Sequence, residues 1–423
     1  MLTIYTLLLY IIQPLIWLRL LLRSLKAPNY RQRWLERYGF CHNKVIPNGI
    51  LIHSVSVGET IAAIPLIKAL QQRYPDYPIT VTTMTPTGSE RVTTLLGDSV
   101  SHVYLPYDLP GAIHRFLRTV KPKLAIVMET ELWPNFITGL HKNSIPLIIA
   151  NARLSERSAK GYAKFGKFTQ AILEKITLIA AQNQQDGNRF VQLGLPASHL
   201  AVTGSIKFDI SLTDSQLTHI EQLKREWQLT RPVWIAASTH HGEDEILLQA
   251  YQHICVTHPD LLLILVPRHP ERFKKVEKLV ATMGLRYQLR SQNQPPSPHT
   301  QVIIGDTMGE LLQLYALADI AFVGGSLVEH GGHNPLEPAL HQLPIIVGQH
   351  TFNFRTISQQ LAKAGGLCIV SDQPQELAKQ VTHLLDNRDH AIAMGKNAYQ
   401  ILKQNQGALN RLLELIGRYI PHE

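Results

Sequence analysis

Acidic and basic side chains that directly follow apolar, strand-like runs are the residues of this chain best placed to do chemistry. Glu59 follows Gly58 at the end of the run Ile50–Val55. A carboxylate at a helix start in such a crevice can act as a general base, or it can be a first-turn residue favoured by the helix dipole. Glu129 and Glu131 come straight after Leu124–Met128, either as crevice carboxylates or as a charged loop capping the next helix. Lys207 lies in Thr203-Gly204-Ser205-Ile206-Lys207-Phe208-Asp209, where small neighbours suggest a constrained turn rather than a solvated surface position. Arg268 follows Pro267 after the run Leu261–Val266 and can grip a phosphate or carboxylate with two parallel bonds. Asp306 to Leu312, through Thr307, Met308, Gly309 and Glu310, reads as an N-cap and helix start, with Thr307 or Asp306 as the cap. Longest of all is the stretch from Gly324 to Ala339, containing Gly324-Gly325-Ser326 and His333-Asn334-Pro335-Leu336-Glu337. A glycine-rich turn from strand into helix lets backbone N–H groups approach a phosphate, and Glu337 is then placed to accept hydrogen bonds from ribose hydroxyls. The plain alternative is a turn that only lets the chain reverse.

These groups need a scaffold that presents loops at one end of its strands. Apolar, β-branched runs at Ile50–Val55, Ile79–Met84, Leu124–Met128, Pro146–Ala150 and Thr177–Ala181 alternate with helical patterns. The second half repeats this at Val233–Ala237, Leu261–Val266, Val302–Ile304, Ile320–Val323 and Pro344–Val347. Such alternation predicts α/β architecture with parallel sheets covered by helices on both faces. The two halves begin alike: His53-Ser54-Val55-Ser56-Val57-Gly58-Glu59 is matched by Ala237-Ser238-Thr239-His240-His241-Gly242-Glu243. Two Rossmann-like domains are therefore expected, at 23–210 and 232–423, joined by a polar linker at 211–231, with the last helices able to pack back on the first domain. Ligands of such domains bind at the carboxyl ends of the strands.

Length, at 423 residues, also calls for two cores. Residues 1–22 are apolar enough for a membrane anchor, interrupted by Arg19, and Arg23, Lys26, Arg31, Arg33 and Arg37 follow. Positive residues stay on the cytoplasmic side, which places the body there. Arg19, Arg23 and Lys26 share a helical face, so a helix lying in the interface is the alternative. The net charge of +9 suits a membrane surface or an acidic substrate. Neither zinc-finger spacing nor the aromatic–basic interleaving of an RNA-binding sheet is present, so nucleic acid is not an expected partner. Lys160, Lys164 and Lys167 at helical spacing, with Arg153 and Arg157 upstream and Tyr162, Phe165 and Phe168 between, are either a solvated face or a site for anionic headgroups. Cys41, Cys255 and Cys368 form neither a disulfide framework nor a metal knuckle, in keeping with a reducing compartment. His240-His241 and His330-x-x-His333 lack the carboxylate and helix context of a hydrolytic zinc site, and no metal is expected.

Taken in order, HSVSVGE, METELWPN, TGSIKFD, ASTHHGEDE, VPRHPERF, DTMGELL and FVGGSLVEHGGHNPLEPA resemble the Kdo transferases (3-deoxy-D-manno-octulosonic acid transferases, glycosyltransferase family 30) over nearly the whole chain. The resemblance implies a GT-B fold, with two Rossmann-like domains facing across a cleft and an N-terminal anchor helix. It implies an inverting, metal-independent transfer of Kdo from CMP-Kdo to the lipid A precursor, lipid IVA, in lipopolysaccharide core biosynthesis at the inner membrane. Two Kdo residues are expected to be added, with CMP-Kdo as donor substrate and no separate cofactor. Matched motif by motif, Glu59 is the implied proton acceptor, and Glu129 and Lys207 support the transition state. The implied CMP contacts are Pro267 and Arg268, then Met308, Gly309 and Glu310, then Asn334, Pro335, Leu336 and Glu337. Two rival readings remain: another GT-B nucleotide-sugar enzyme with a UDP donor, and a membrane-anchored nucleotide- or lipid-binding protein.

Overall fold

The computed structural model describes residues 1–41 and 45–420, without the side chain of Lys26, so that residue's place on the basic helical face lies outside the described residues. The chain forms two compact units, Met1–Asp209 with Gln406–Glu423, and Ile210–Asn405.

The first unit is built on seven parallel strands: β1 (Ile50–His53), β2 (Ile79–Thr83), β3 (Ser101–Tyr104), β4 (Leu124–Met128), β5 (Leu147–Ala152), β6 (Leu178–Ala181) and β7 (Leu200–Val202). They lie in the order β3-β2-β1-β4-β5-β6-β7. Side chains alternate between two buried faces. Leu51, Val127 and Ile149 pack with Phe116, Phe136 and Phe190 on one side. Ile52, Ile126 and Ile148 pack with Leu66, Ile67 and the C-terminal Leu412 and Ile416 on the other. At ~1.5–3 kcal/mol for each fully buried aliphatic side chain, Leu412 and Ile416 hold the tail helix Ala408–Gly417 to this unit. Asp209 accepts hydrogen bonds from the backbone N–H groups of Gly407 and Leu409 and so anchors the start of that helix.

The second unit has β8 (Val233–Thr239), β9 (Leu262–Pro267), β10 (Tyr287–Leu289), β11 (Val302–Ile304), β12 (Ile320–Val323), β13 (Ile345–Val347) and β14 (Leu367–Ile369). Their order is β10-β11-β9-β8-β12-β13-β14, again all parallel. Helix Asp214–Trp227, inside the stretch expected to be a linker, belongs to this unit and buries Leu223 and Trp227 against Val233 and Ile235. A capping box of Thr213 and Gln216 starts it.

Ten strands lie where apolar runs predicted them. The four not anticipated, β3, β7, β10 and β14, are the four sheet edges. β3 and β14 mix buried with half-buried or exposed positions and β7 and β10 have only half-buried and exposed ones, so none produces the continuous apolar run of a central parallel strand. Two helical expectations also need correction. Lys160, Lys164 and Lys167 do not share one helix: Glu156–Ala163 ends before Lys164, and a new helix runs Gly166–Leu173. The helix after Asp306 begins only at Leu311, with Glu310 as an N-cap residue that makes no side-chain cap. Asp306 instead accepts from the backbone and hydroxyl of Ser291.

Candidate functional site

In each sheet the strand order reverses about the first strand, and the crevice at such a switch point is where open α/β sheets bind ligands. In the first unit this point lies between β1 and β4, and Glu59 and Glu129 follow those two strands. Ser56 caps helix Val57–Arg73, and Glu59 is the third residue of that helix. The Ser56 hydroxyl donates to Glu59 Oε1 at 2.8 Å, and the Val55 N–H donates to Oε2 at 2.8 Å. Glu59 thus does take the helix-start role that its position suggested. It is also 9 % exposed, and burial raises its pKa above the ordinary carboxylate value, with the Glu129 charge adding to the effect. Both properties coexist in one side chain.

Glu129 sits in the left-handed region at φ 57°, and its backbone N–H donates to Ala150 on β5. That turn separates its side chain from the course of β4. The alternative role of this loop, capping helix Pro134–Lys142, falls to a different residue. Asp108 accepts the N–H groups of Asn135 and Phe136 at 2.9 and 2.7 Å, and burial pushes its pKa up to about 6. Glu129 and Glu131 are therefore released from capping. Arg153 lies 3.9 Å from the Glu129 carboxylate. Lys207 stands on a short 3-10 turn, Ile206–Phe208, whose N–H at Ile206 donates to Asn151 at the end of β5. Burial lowers the Lys207 pKa, the carboxylates of Glu129 and Glu59 oppose that, and Arg153 reinforces it. The structure therefore brings Glu59, Glu129 and Lys207, from three separate segments, within electrostatic reach of one another. It adds Glu131, whose pKa is pushed up to about 7 by burial first and the Glu59 charge second. Trp133 donates its indole N–H to Glu131 at 3.1 Å. The sequence motif contained Glu131, but nothing in its spacing distinguished it from Glu129.

The corresponding crevice of the second unit lies between β8 and β12. Its glycine-rich turn does not do what the sequence suggested. The carboxylate of Glu243, itself fully buried, accepts the N–H groups of Gly325, Ser326 and Leu327 at 2.7, 3.0 and 2.9 Å, and that of His240 at 2.8 Å. An internal carboxylate occupies the cradle that was expected to hold a phosphate. Gly324 is required for another reason: a Cβ there would meet the Ser238 carbonyl oxygen at 2.5 Å. Glu243 fills the same Gly-Glu place in its half as Glu59 does in the first, and that repeat was the signal available to find it. The two differ in surroundings. Glu243 is locked by a neighbouring loop, while Glu59 has only its own helix start.

Beyond this locked turn the crevice is cationic and aromatic. Arg268 follows β9; its backbone N–H donates to Thr239 at 3.0 Å, while its guanidinium takes no ion-pair partner among the described residues. Its charge opposes the burial that pushes Glu337 up to about 7. The Asn334 side-chain oxygen accepts the Leu336 N–H at 3.1 Å and, with Pro335, starts the short helix Leu336–Leu340. Pro267 ends β9. Met308 is exposed and Gly309 left-handed at φ 86°, while the Glu310 carboxylate is held by Arg290 at 2.9 Å and by the Thr307 hydroxyl. The rings of His240 and His330 stack at 4.2 Å, and the Nε2 atoms of His240 and His333 are 2.8 Å apart. Burial draws the pKa of His240 down to about 4 and that of His333 to about 3, with neighbouring positive charges adding to both. Two neutral rings can share one N–H between them. Of the implied nucleotide contacts, Arg268 and Asn334 both interact with Glu337 in this crevice, whereas Met308, Gly309 and Glu310 lie on the loop after β11, where Glu310 is paired with Arg290.

A family model described as 3-deoxy-D-manno-octulosonic-acid transferase (kdotransferase) matches residues 32–210, and one for group 1 glycosyl transferases matches residues 236–401. The chain is 51% identical to a 3-deoxy-D-manno-octulosonic acid transferase of Haemophilus influenzae, covering 98% of each. It is 34% identical to one from Bordetella pertussis, again covering 98% of each. Among solved structures it is similar to a UDP-GlcNAc 2-epimerase from Neisseria meningitidis bound to UDP-GlcNAc, with TM-score 0.58, covering 88% of this chain and 100% of that one. At 14% identity that likeness concerns the GT-B-like fold alone.

Proposed function

The chain belongs to the 3-deoxy-D-manno-octulosonic acid (Kdo) transferases, and on that premise we propose that it moves Kdo from CMP-Kdo to the lipid A precursor, lipid IVA, in lipopolysaccharide core biosynthesis. The reaction is a direct displacement with inversion at the anomeric carbon. Glu59 takes the proton of the acceptor hydroxyl, that oxygen bonds to C2 of Kdo, and the C2–O bond to the phosphate breaks as CMP leaves with the electron pair. Two Kdo residues are added in succession.

The observation that carries this reading is the Glu59–Glu129–Lys207 cluster at the β1/β4 switch point. A base needs a carboxylate whose proton affinity exceeds that of an exposed one, and burial together with the Glu129 charge works in that direction on Glu59. Lys207 supplies positive charge beside the two carboxylates and is suited to the Kdo carboxylate. On the donor side, Arg268 is suited to the leaving phosphate, whose growing charge it stabilises without a metal. Asn334, Pro335, Leu336 and Glu337, with Met308, Gly309 and Glu310, frame the nucleoside, and Glu337 is suited to the ribose. The body works on the cytoplasmic side of the inner membrane, where the lipid acceptor is within reach.

The test is transfer by purified full-length protein from CMP-Kdo to lipid IVA, with the product mass read directly. Two Kdo additions are expected. Glu59→Gln is expected to lower kcat about 10²–10⁴-fold while CMP binding is kept. Turnover retained in Glu59→Gln leaves Glu59 with its helix-start role alone, and absence of transfer by the wild type favours a binding protein.

A further inference from the structure

The N-terminal helix, Leu2–Lys26, is long and apolar enough to cross a membrane. Its contacts with the rest of the first unit run along its whole length. Tyr5 donates to Asp108 at 3.0 Å, and Thr6 and Asn135 exchange bonds near 3.1 Å. Midway, Tyr38 donates to Gln13 at 2.9 Å and accepts from the Trp17 indole. At the far end, Arg31 donates to Ser24 at 2.8 Å. Tyr5 and Ser24 are nineteen residues apart, about 28 Å along a helix, close to the ~30 Å of a bilayer's hydrocarbon core.

A helix crossing the bilayer would carry these partners with it. Asp108 and Arg31 would then lie at opposite membrane faces, and the unit that holds both would have to enter hydrocarbon, where irregular backbone is not tolerated. The side chains sort accordingly. Gln13, Leu20 and Ser24 are buried against the unit. Ile4, Leu8, Ile11, Leu15, Leu18 and Leu22, spaced by four and three residues, form the middle of an exposed apolar stripe, which Leu7, Leu21 and Leu25 widen on the side away from Arg19 and Arg23. Arg19 and Arg23 are exposed one position round from Leu18 and Leu22, on the flank where headgroups lie. The apolar surface continues onto Phe165, which is 57% exposed and shares with Ile4 and Leu8 a groove of about 660 Å³. Exposed Lys164 and Lys167 flank it.

We infer that this helix lies in the plane of the membrane interface, with its stripe in the acyl region, rather than spanning the bilayer. The occupant of the stripe is the lipid surface itself, selected by an apolar face bordered with positive charge. The inference does not depend on the reaction proposed above.

Full-length protein carrying Thr3→Cys, or Val256→Cys as a marker of the body, is reconstituted into vesicles of phosphatidylethanolamine and phosphatidylglycerol with the body outside. Both positions are exposed. A membrane-impermeant thiol reagent is trapped in the lumen, and labelled peptides are read by mass spectrometry. The expected result is that neither cysteine reacts with lumenal reagent. Lumenal reaction of Thr3→Cys with Val256→Cys spared means that the helix spans, and overturns the inference. As a second arm, Leu15→Asn is expected to weaken vesicle binding at least about tenfold. Unchanged binding, or a wild-type chain that self-associates and does not cofloat with vesicles, also overturns it.

Discussion

Glu243→Gln separates a locked glycine-rich turn from a phosphate cradle. Glu243 Oε1 receives the N–H groups of Ser326 and Leu327 at 3.0 and 2.9 Å, and Oε2 those of His240 and Gly325 at 2.8 and 2.7 Å. Glutamine keeps one acceptor oxygen. Whichever way its amide turns, the NH2 group faces two N–H donors in a site closed to solvent. A buried donor left unpaired costs about 1–3 kcal/mol, so the second unit is expected to lose ~2–6 kcal/mol. At roughly 2–4 °C per kcal/mol for a unit of this size, its Tm falls by about 4–24 °C. Calorimetry of the full chain measures the loss. Amide hydrogen exchange at residues 325–327 localises it, because protection there should fall first. CMP binding should weaken, since the turn that leads to Asn334 and Glu337 loosens. Were the N–H groups instead available to a phosphate, removing the competing carboxylate charge would tighten CMP binding and leave stability within about 0.5 kcal/mol of wild type. Either result would refute the argument.

Glu129→Gln removes the charge that helps to raise the Glu59 pKa. A base acts only when deprotonated, so activity falls as pH drops through that pKa, and the acid limb of the kcat/KM profile should move to lower pH in the variant. The same change removes the charge that holds the Lys207 pKa up against burial. The basic limb should therefore move to lower pH as well; an unshifted profile means the three groups are not coupled. In the second unit, His240 and His333 have folded-state values of about 4 and about 3, below the ordinary 6.5. Their contribution to stability is therefore complete above pH 6.5 and is lost as pH falls toward 4. Urea unfolding across that range should show a slope that flattens when both are replaced by Gln, and an equal slope in the variant argues against buried neutral rings.

How much of this was legible depended on whether the deciding physics was local. A central parallel strand is buried on both faces, so Leu124–Met128 and Leu261–Val266 read as strands from composition alone. Edge strands such as Tyr287–Leu289 are covered on fewer sides and carry no such mark. The repeated strand–turn–Gly-Glu plan placed Glu59 and Glu243 at equivalent points. It did not show that one would be locked by four N–H groups and the other held only by its own helix start, because the difference comes from the loop after β12, which approaches Glu243 from about eighty residues away. The Asn135 and Phe136 N–H groups likewise chose Asp108 rather than the adjacent carboxylates.

The sequence by itself determined the α/β class, the two repeated halves, the family and the chemical types of the residues available at each strand end. Only the tertiary structure decided which of those groups meet, which donors are already satisfied, and along which face the N-terminal helix is held. The reason is physical: apolar periodicity reports each residue's own burial, whereas a hydrogen-bond partner or a shifted pKa is set by whatever distant segment folds against it.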